Sequence, residues 1–291
     1  MKVLRLGLPK GSLQESTVDL FKMAGFSVTT RARSYFPSID DVEIEVALLR
    51  AQEMSRYVEE GVLDCGVTGE DWILENDSRV LRLESLVYAK RTLKPVRWVV
   101  ATKKDSHIKK IEDLRGKRIA TELINCTRKF FKRKKIKVEV EFSWGATEVK
   151  VKSGLVDAIV ELTETGESLR ANNLREIACV CTSTTKFIAN KTSYKDPWKK
   201  KKINNIILLL KGALEAKGTV GLKLNVNNKN LDKVLSLLPA LKKPTISPLA
   251  LKGWVACEVV IDEDDVRILI PQLKEAGAEG IIEYPLNKLI Y

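Results

Sequence analysis

The segment Val160-Glu161-Leu162-Thr163-Glu164-Thr165-Gly166-Glu167-Ser168-Leu169 carries the densest chemistry in the chain. Its pattern is a buried strand that ends in an acidic residue, then a polar turn, then a helix predicted through Leu169 to Leu174. Unpaired N–H groups at such a turn lie at the positive end of the helix dipole and suit a phosphate. Gly166 permits close backbone approach. The Thr165 and Ser168 hydroxyls can add hydrogen bonds, and Glu161 and Glu164 can accept from sugar hydroxyls. The same residues also fit a plain helix cap at Thr165 or Ser168. A second candidate, Leu8-Pro9-Lys10-Gly11-Ser12-Leu13, sets a lysine, a glycine and a hydroxyl at the start of a helix. Its spacing is not that of a P-loop. It suits a diphosphate or triphosphate, or is an ordinary turn capped by Ser12. A third, Arg50, ends a strand and either reaches a ligand or forms a surface ion pair. Asp64 and Asp157 either face a cleft or close turns.

The elements that must position these residues alternate between strand and helix, which predicts an α/β fold with parallel sheet. Val3 to Leu8, Val42 to Leu49 and Val62 to Gly69 read as strands. Leu13 to Ala24 and Gln52 to Glu60 read as helices. The pattern restarts at Leu114 to Ala120, with a helix around Thr147 to Ser153. Gly61-Val62-Leu63-Asp64 and Gly154-Leu155-Val156-Asp157 repeat one unit, and both strands run into a Thr-Gly turn. Two similar lobes facing a cleft are implied. This arrangement resembles the type II periplasmic-binding-protein architecture, with chain crossings expected near Leu93 to Thr102 and Ala178 to Ala189. Residues 213–291 read as βαββαβ, the order of a ferredoxin-like domain. The expected division is 1–92 with 181–212 as lobe I, 93–180 as lobe II, and 213–291 as a third domain.

Composition limits the function. The net charge is +12 over 291 residues. Residues 213–291 hold 10 Lys+Arg and 10 Asp+Glu, so the whole excess lies in residues 1–212. That favours a front part that handles polyanions. The basic runs at 128–135 and 199–202 read as solvated surface, and no nucleic-acid partner is expected. No apolar run approaches the ~20 residues that span a bilayer. Charges interrupt the first residues, so a cytoplasmic protein is expected and a transport receptor is disfavoured. Five cysteines without C-x-x-C spacing and a single histidine, His107, suggest neither a disulfide framework nor a zinc site. Cys179 and Cys181, two apart in an apparent strand and so on one face, read as buried small hydrophobes.

Several collinear motifs together carry a resemblance. They are Gly7 to Leu13, Arg50-Ala51-Gln52-Glu53, Gly66-Val67-Thr68-Gly69, Arg118 to Glu122, Val160 to Leu169 with Asn172-Asn173-Leu174, Leu237 to Leu249 and Gly253 to Ala256. With these the chain resembles the long-form ATP phosphoribosyltransferases over essentially its whole length. The resemblance implies transfer of a phosphoribosyl group from phosphoribosyl pyrophosphate to N1 of ATP, with Mg²⁺ and release of pyrophosphate. It implies phosphoribosyl pyrophosphate at Glu161, Thr163, Glu164, Thr165, Gly166, Glu167 and Ser168. It implies nucleotide or pyrophosphate at Lys10, Gly11, Ser12, Arg50, Thr68, Gly69 and Asp71. It also implies inhibition by histidine through the third domain, with Thr245 and Leu249 as candidate contacts, and a homo-oligomer, dimer and hexamer. Two positions depart from the family pattern: Glu161 stands where Asp is usual, and Ser12 where Arg is frequent, with Lys10, Arg31 and Arg33 as possible compensation.

Overall fold

A computed structural model describes residues 2–30, 34–88, 95–238 and 244–291. Its contacts divide the chain into two compact units: Met1–Lys22 with Phe26–Ile207, and Met23–Gly25 with Leu208–Tyr291. Arg31 and Arg33, and the first lobe boundary at 92/93, lie outside the described residues.

The first unit contains two five-stranded sheets. The first lobe opens with β1 (Leu4–Lys10), α1 (Gln14–Met23), a short ribbon of β2 (Val28–Thr29) and β3 (Ser38–Ile39), then β4 (Ile44–Arg50), α2 (Ala51–Glu59), β5 (Cys65–Gly69), α3 (Glu70–Glu75) and β6 (Leu81–Leu86). The second lobe comprises β7 (Val96–Lys103), β8 (Arg118–Thr121), α4 (Ile124–Arg133), β9 (Glu139–Phe142), α5 (Thr147–Ser153), β10 (Ala158–Thr163), α6 (Glu167–Ala171) and β11 (Leu174–Ser183). The chain then returns through β12 (Thr185–Ala189) and α7 (Pro197–Glu215).

Strand order is β4-β1-β5-β12-β6 in one sheet and β9-β8-β10-β7-β11 in the other. The two orders are the same. Three parallel strands begin each sheet, and a strand antiparallel to both its neighbours follows. The sheets are therefore mixed rather than purely parallel. The antiparallel strand in each is the chain's own passage from the other lobe. The return passage changes sheet at Thr184, so residues 181–183, grouped by the sequence with lobe I, pair in the second sheet. Val96 to Thr102, read as a crossing, is a full strand, and Trp98, Val99, Val100 and Ala101 on it are buried.

The repeated Gly-x-x-Asp unit has one structural role in both lobes. Asp64 accepts the Arg5 N–H at 2.9 Å, and Asp157 accepts the Arg118 N–H at 2.9 Å. Each aspartate ties the start of one parallel strand, β1 or β8, to the entry of its parallel neighbour, β5 or β10, and neither lines the cleft. The expected helix Leu169–Leu174 is also displaced: α6 stops at Ala171, and Leu174 opens β11. Cys179 is exposed, because a bulge between Cys179 and Cys181 breaks the alternation. The basic run at 128–135 covers the outer side of α4, whose Phe130 and Phe131 are buried.

The second unit contains β13 (Thr219–Asn227), α8 (Leu231–Leu237), β14 (Thr245–Pro248), β15 (Trp254–Asp262), α9 (Glu263–Glu275) and β16 (Ala278–Pro285). The antiparallel order β14-β15-β13-β16 is ferredoxin-like. Leu222, Leu224, Val226, Cys257 and Ile261 bury one sheet face with Val266, Leu269 and Leu273 of α9. No described helix is long and apolar enough to cross a membrane.

The two clamps differ in burial. Asp64 is fully buried and also meets Ser193 Oγ at 2.7 Å and Lys199 Nζ at 2.7 Å, whereas the Asp157 side chain is 31% exposed. Burial opposes the charged form of Asp64, but the Arg5 N–H, Lys199 and Ser193 outweigh it and hold its carboxyl below the ordinary range. Such a group stabilises fully above the unfolded value and loses its effect as pH falls through the depressed one. Asp64→Asn should cost about 2 kcal/mol at neutral pH, and Asp157→Asn under about 1 kcal/mol. Urea melts at pH 7 and in acid check this, and the Asp64→Asn deficit should shrink in acid.

Candidate functional site

The parallel strands of both lobes end at one cleft, as α/β sheets place their ligand sites beyond the carboxyl ends of strands. A cavity of about 320 Å³ is lined from the first lobe by Pro9, Lys10, Ser12, Leu13, Arg50, Gln52, Gly69, Asp71 and Trp72. Glu122, Glu161, Leu162 and Glu164 line it from the second lobe. Tyr88, Val96, Trp98, Ser183, Thr184 and Thr185, at the chain crossings, form its floor.

The first-lobe wall is cationic. Lys10 Nζ lies 3.8 Å from the Tyr35 ring centroid, a cation–π contact that leaves its charge intact. Neither Lys10 nor Arg50 has a carboxylate partner among the described residues. Arg50 ends β4 and precedes the first turn of α2. Its Nη1 lies 3.1 Å from where a Cβ on Gly11 would stand, and Gly11 has φ +108°. Only glycine combines that backbone with a guanidinium laid across it. Gly11 itself is outside the cavity lining. Ser12 lines it.

The second-lobe wall is acidic. Glu161 accepts the Thr147 hydroxyl through Oε2 and the Leu162 N–H through Oε1. Burial raises its carboxyl pKa above the ordinary value; the Thr147 bond opposes this, and Glu148 and Glu122 reinforce it. The loop beyond is held by its own hydroxyls. Thr163 Oγ1 accepts the Gly166 N–H at 2.8 Å, and Thr165 Oγ1 accepts from Glu167 N. Gly166, at φ +77°, caps α6 in the left-handed region. Arg170 lies against it: a Cβ there would meet Arg170 Nη1 at 2.8 Å. The Ser168 hydroxyl donates to Glu148 at 2.8 Å. Thr163, Thr165, Gly166, Glu167 and Ser168 stand behind Glu161 and Glu164 and do not line the cavity.

Two further candidates are committed to protein partners. Thr68 is buried, and its hydroxyl donates to Ala51 O at 2.7 Å. Asp71 lines the cavity, but its carboxylate accepts from Trp98 Nε1 at 2.6 Å and Trp72 N at 3.0 Å. Burial raises its pKa, against those bonds and Ser183. Thr245 is exposed on the edge strand β14, and the Leu249 N–H donates to Trp254 O at 3.0 Å. Sequence reasoning missed Trp72, Tyr88, Trp98, Glu122, Arg170 and Ser183–Thr185. The Glu122 position, directly after the end of β8, was the one legible signal.

Fold and cleft define a two-lobed α/β protein whose cleft walls carry opposite charge, a concave site of the kind that takes small ligands. The comparisons narrow this. Residues 50–212 match the family model described as ATP phosphoribosyltransferase, and residues 216–288 match that of the HisG C-terminal domain. The chain is 59% identical to the ATP phosphoribosyltransferase of Pelotomaculum thermopropionicum, over 99% of both chains. It is 56% identical to that of Pelodictyon phaeoclathratiforme, over 99% of this chain and 98% of the other. A solved chain of the ATP phosphoribosyl transferase (HisG:HisZ) complex from Thermotoga maritima superposes with a TM-score of 0.62 at 27% identity. That match covers 73% of this chain and 98% of the solved one. The chain belongs to the ATP phosphoribosyltransferase family, in its long form. As an enzyme of that family it is a pentosyltransferase of the first step of histidine biosynthesis.

The charge around Glu161 yields a pH test. Glu148 adds to the elevation of the Glu161 pKa, so Glu148→Gln should lower it. If ionised Glu161 is required, the acid limb of kcat/KM moves to lower pH in Glu148→Gln. An unmoved limb would assign the acid-side titration to another group.

Proposed function

We propose that this cleft transfers the phosphoribosyl group from phosphoribosyl pyrophosphate to N1 of the ATP adenine. The observation that carries the reading is the polarity of the cleft, with Lys10 and Arg50 facing Glu122, Glu161 and Glu164. The adenine N1 lone pair forms the new bond to C1 of the ribose. The bond from C1 to the diphosphate oxygen breaks, and its electron pair leaves with the diphosphate. No serine or cysteine nucleophile is required. Catalysis is positioning plus electrostatics.

In this reading Lys10 and Arg50 neutralise the diphosphate or the ATP phosphates. Glu161 accepts from ribose hydroxyls and opposes the positive charge that grows on the sugar. The loop from Thr163 to Ser168, with Arg170 beside it, holds the 5-phosphate. That role requires Gly166 N–H to exchange its Thr163 partner for phosphate oxygen. Ser12 contributes a hydroxyl in place of the family's frequent arginine. Among the described residues no three carboxylates, histidines or thiols converge as a metal cage. Glu122, Glu161 and Glu164 offer hard oxygens singly, a donor set that fits Mg²⁺ carried in on the diphosphate. When bound there, the ion supplies further screening of the leaving group.

The ferredoxin-like unit is the part we assign to histidine inhibition, with Thr245 and Leu249 near the ligand. We also read the protein as a cytoplasmic homo-oligomer.

Steady-state kinetics test the assignments. Lys10→Met and Arg50→Met should each lower kcat/KM by about tenfold or more, the loss expected for a removed charge-assisted contact. Gly166→Ala should raise KM for phosphoribosyl pyrophosphate by about tenfold, since the left-handed turn strains any Cβ. Unchanged kinetics in all three would reject the cleft assignment. Thr245→Ala should raise the half-inhibitory histidine concentration by about fivefold or more without changing the uninhibited rate. An unaltered histidine response would remove Thr245 from the inhibitor site.

A further inference from the structure

The helix α3 follows β5 and belongs to the first lobe, yet its buried carboxylates bond to the second. Asp71 and Glu75 are four residues apart, so they share a helix face. They are 4% and 9% exposed. Asp71 Oδ2 accepts from Trp98 Nε1 on β7 at 2.6 Å. Glu75 takes the backbone N–H groups of Asn125 and Cys126, at 2.8 Å on Oε1 and 2.9 Å on Oε2. Asn125 Nδ2 adds a bond to Glu75 O at 3.0 Å.

The partner helix explains why this matters. The α4 N-cap is Leu123, whose side chain can cap nothing, and no side-chain cap bond is made. The first turn of any helix leaves N–H groups unpaired, and a buried turn without a cap is unfavourable. Here the cap comes from the other lobe, and its negative charge meets the positive end of the α4 dipole. The Trp72 and Trp98 rings pack edge to face beside it, 5.9 Å apart at 87°. Ser183 Oγ accepts the Asp71 N–H at 3.1 Å, tying α3 to the return crossing as well.

We infer that Glu75 is a positioning residue for the transfer reaction, acting through a strap that locks the two cleft walls at a working separation. The strap is placed to do this. Gly69, which lines the cavity, immediately precedes α3, and Glu122, on the opposite wall, immediately precedes the α4 cap. A change in how α3 meets α4 therefore moves the cationic wall relative to the acidic one. With the ATP phosphates on Lys10 and Arg50 and phosphoribosyl pyrophosphate on the second wall, the two substrates must meet within reacting distance, and misplacement by an ångström costs rate rather than single-substrate binding. The inference rests on the cleft reading above.

The test is the full-length Glu75→Ala variant, with Glu75→Gln in parallel. Gln keeps one acceptor oxygen and should retain part of the function. Three readouts are needed: turnover per folded enzyme, the Kd of phosphoribosyl pyrophosphate alone, and amide exchange at Asn125 and Cys126. In Glu75→Ala we expect kcat to fall by about tenfold or more, with Kd changed less than about threefold. Exchange at both amides should accelerate, and Glu75→Gln should fall between the variant and the parent. If Glu75→Ala does not fold, Glu75→Gln carries the same comparison. Unchanged kcat per folded enzyme, with only the melting temperature lowered, would reduce Glu75 to a structural cap and overturn the inference. An inactive parent would count against the cleft reading instead; amide exchange together with solution scattering would then judge the strap, and unchanged lobe separation would overturn it.

Discussion

Each sheet of the catalytic unit is completed by a strand that arrives from the other lobe. β12 pairs antiparallel between β5 and β6, and β7 between β10 and β11. The second sheet needs the outward crossing, and the first sheet is whole only after the return. The cleft is a direct consequence. Its floor is the crossing chain itself, at Val96, Trp98 and Ser183 to Thr185, and its walls are the ends of the strands that flank it. Two aspartates at equivalent places, Asp64 and Asp157, then tie neighbouring interior strands of each sheet together by the same backbone bond.

Charge separation follows from the same geometry. Lys10 and Arg50 end β1 and β4, paired partners in one sheet, so they arrive side by side. Glu122 follows β8 directly, and Glu161 lies within β10, one residue past the last paired position, Thr121 with Val160, of those two strands. A cleft with cations on one wall that have no carboxylate partner among the described residues, and carboxylates on the other, suits a substrate that departs as a polyanion while its sugar turns cationic. The protein needs no covalent intermediate for such chemistry. It needs the two walls at a fixed spacing, which the buried carboxylates of α3 provide.

Much of this was legible in the residues. The Gly-x-x-Asp repeat gave the two lobes, and the βαββαβ order gave the second unit, because both are patterns local in sequence. Lys10, Arg50 and Glu164 were legible as cavity-lining positions because each ends a strand or opens a turn; Glu161 also lines the cavity, although β10 runs on past it to Thr163. The antiparallel crossing strands were not. Their pairing partners are chosen by the second passage of the chain, which no local periodicity records. Trp98 and Glu75 escaped for the same reason: their partners lie 27 and 50 residues away. Asp64 and Asp157 had two local readings, and only the strand they clamp distinguishes them. Thr68 and Asp71 sit in the right turn, but burial and protein hydrogen bonds occupy their polar atoms.

The central claim is that this polarised cleft joins ATP to a phosphoribosyl group. An ultraviolet assay of the purified protein with ATP, phosphoribosyl pyrophosphate and Mg²⁺ addresses it most directly, with pyrophosphatase added to draw the reaction forward. The account predicts phosphoribosyl-ATP, formed only when both substrates are present and suppressed by histidine. No product under these conditions, from protein that is folded and binds both substrates, would contradict it.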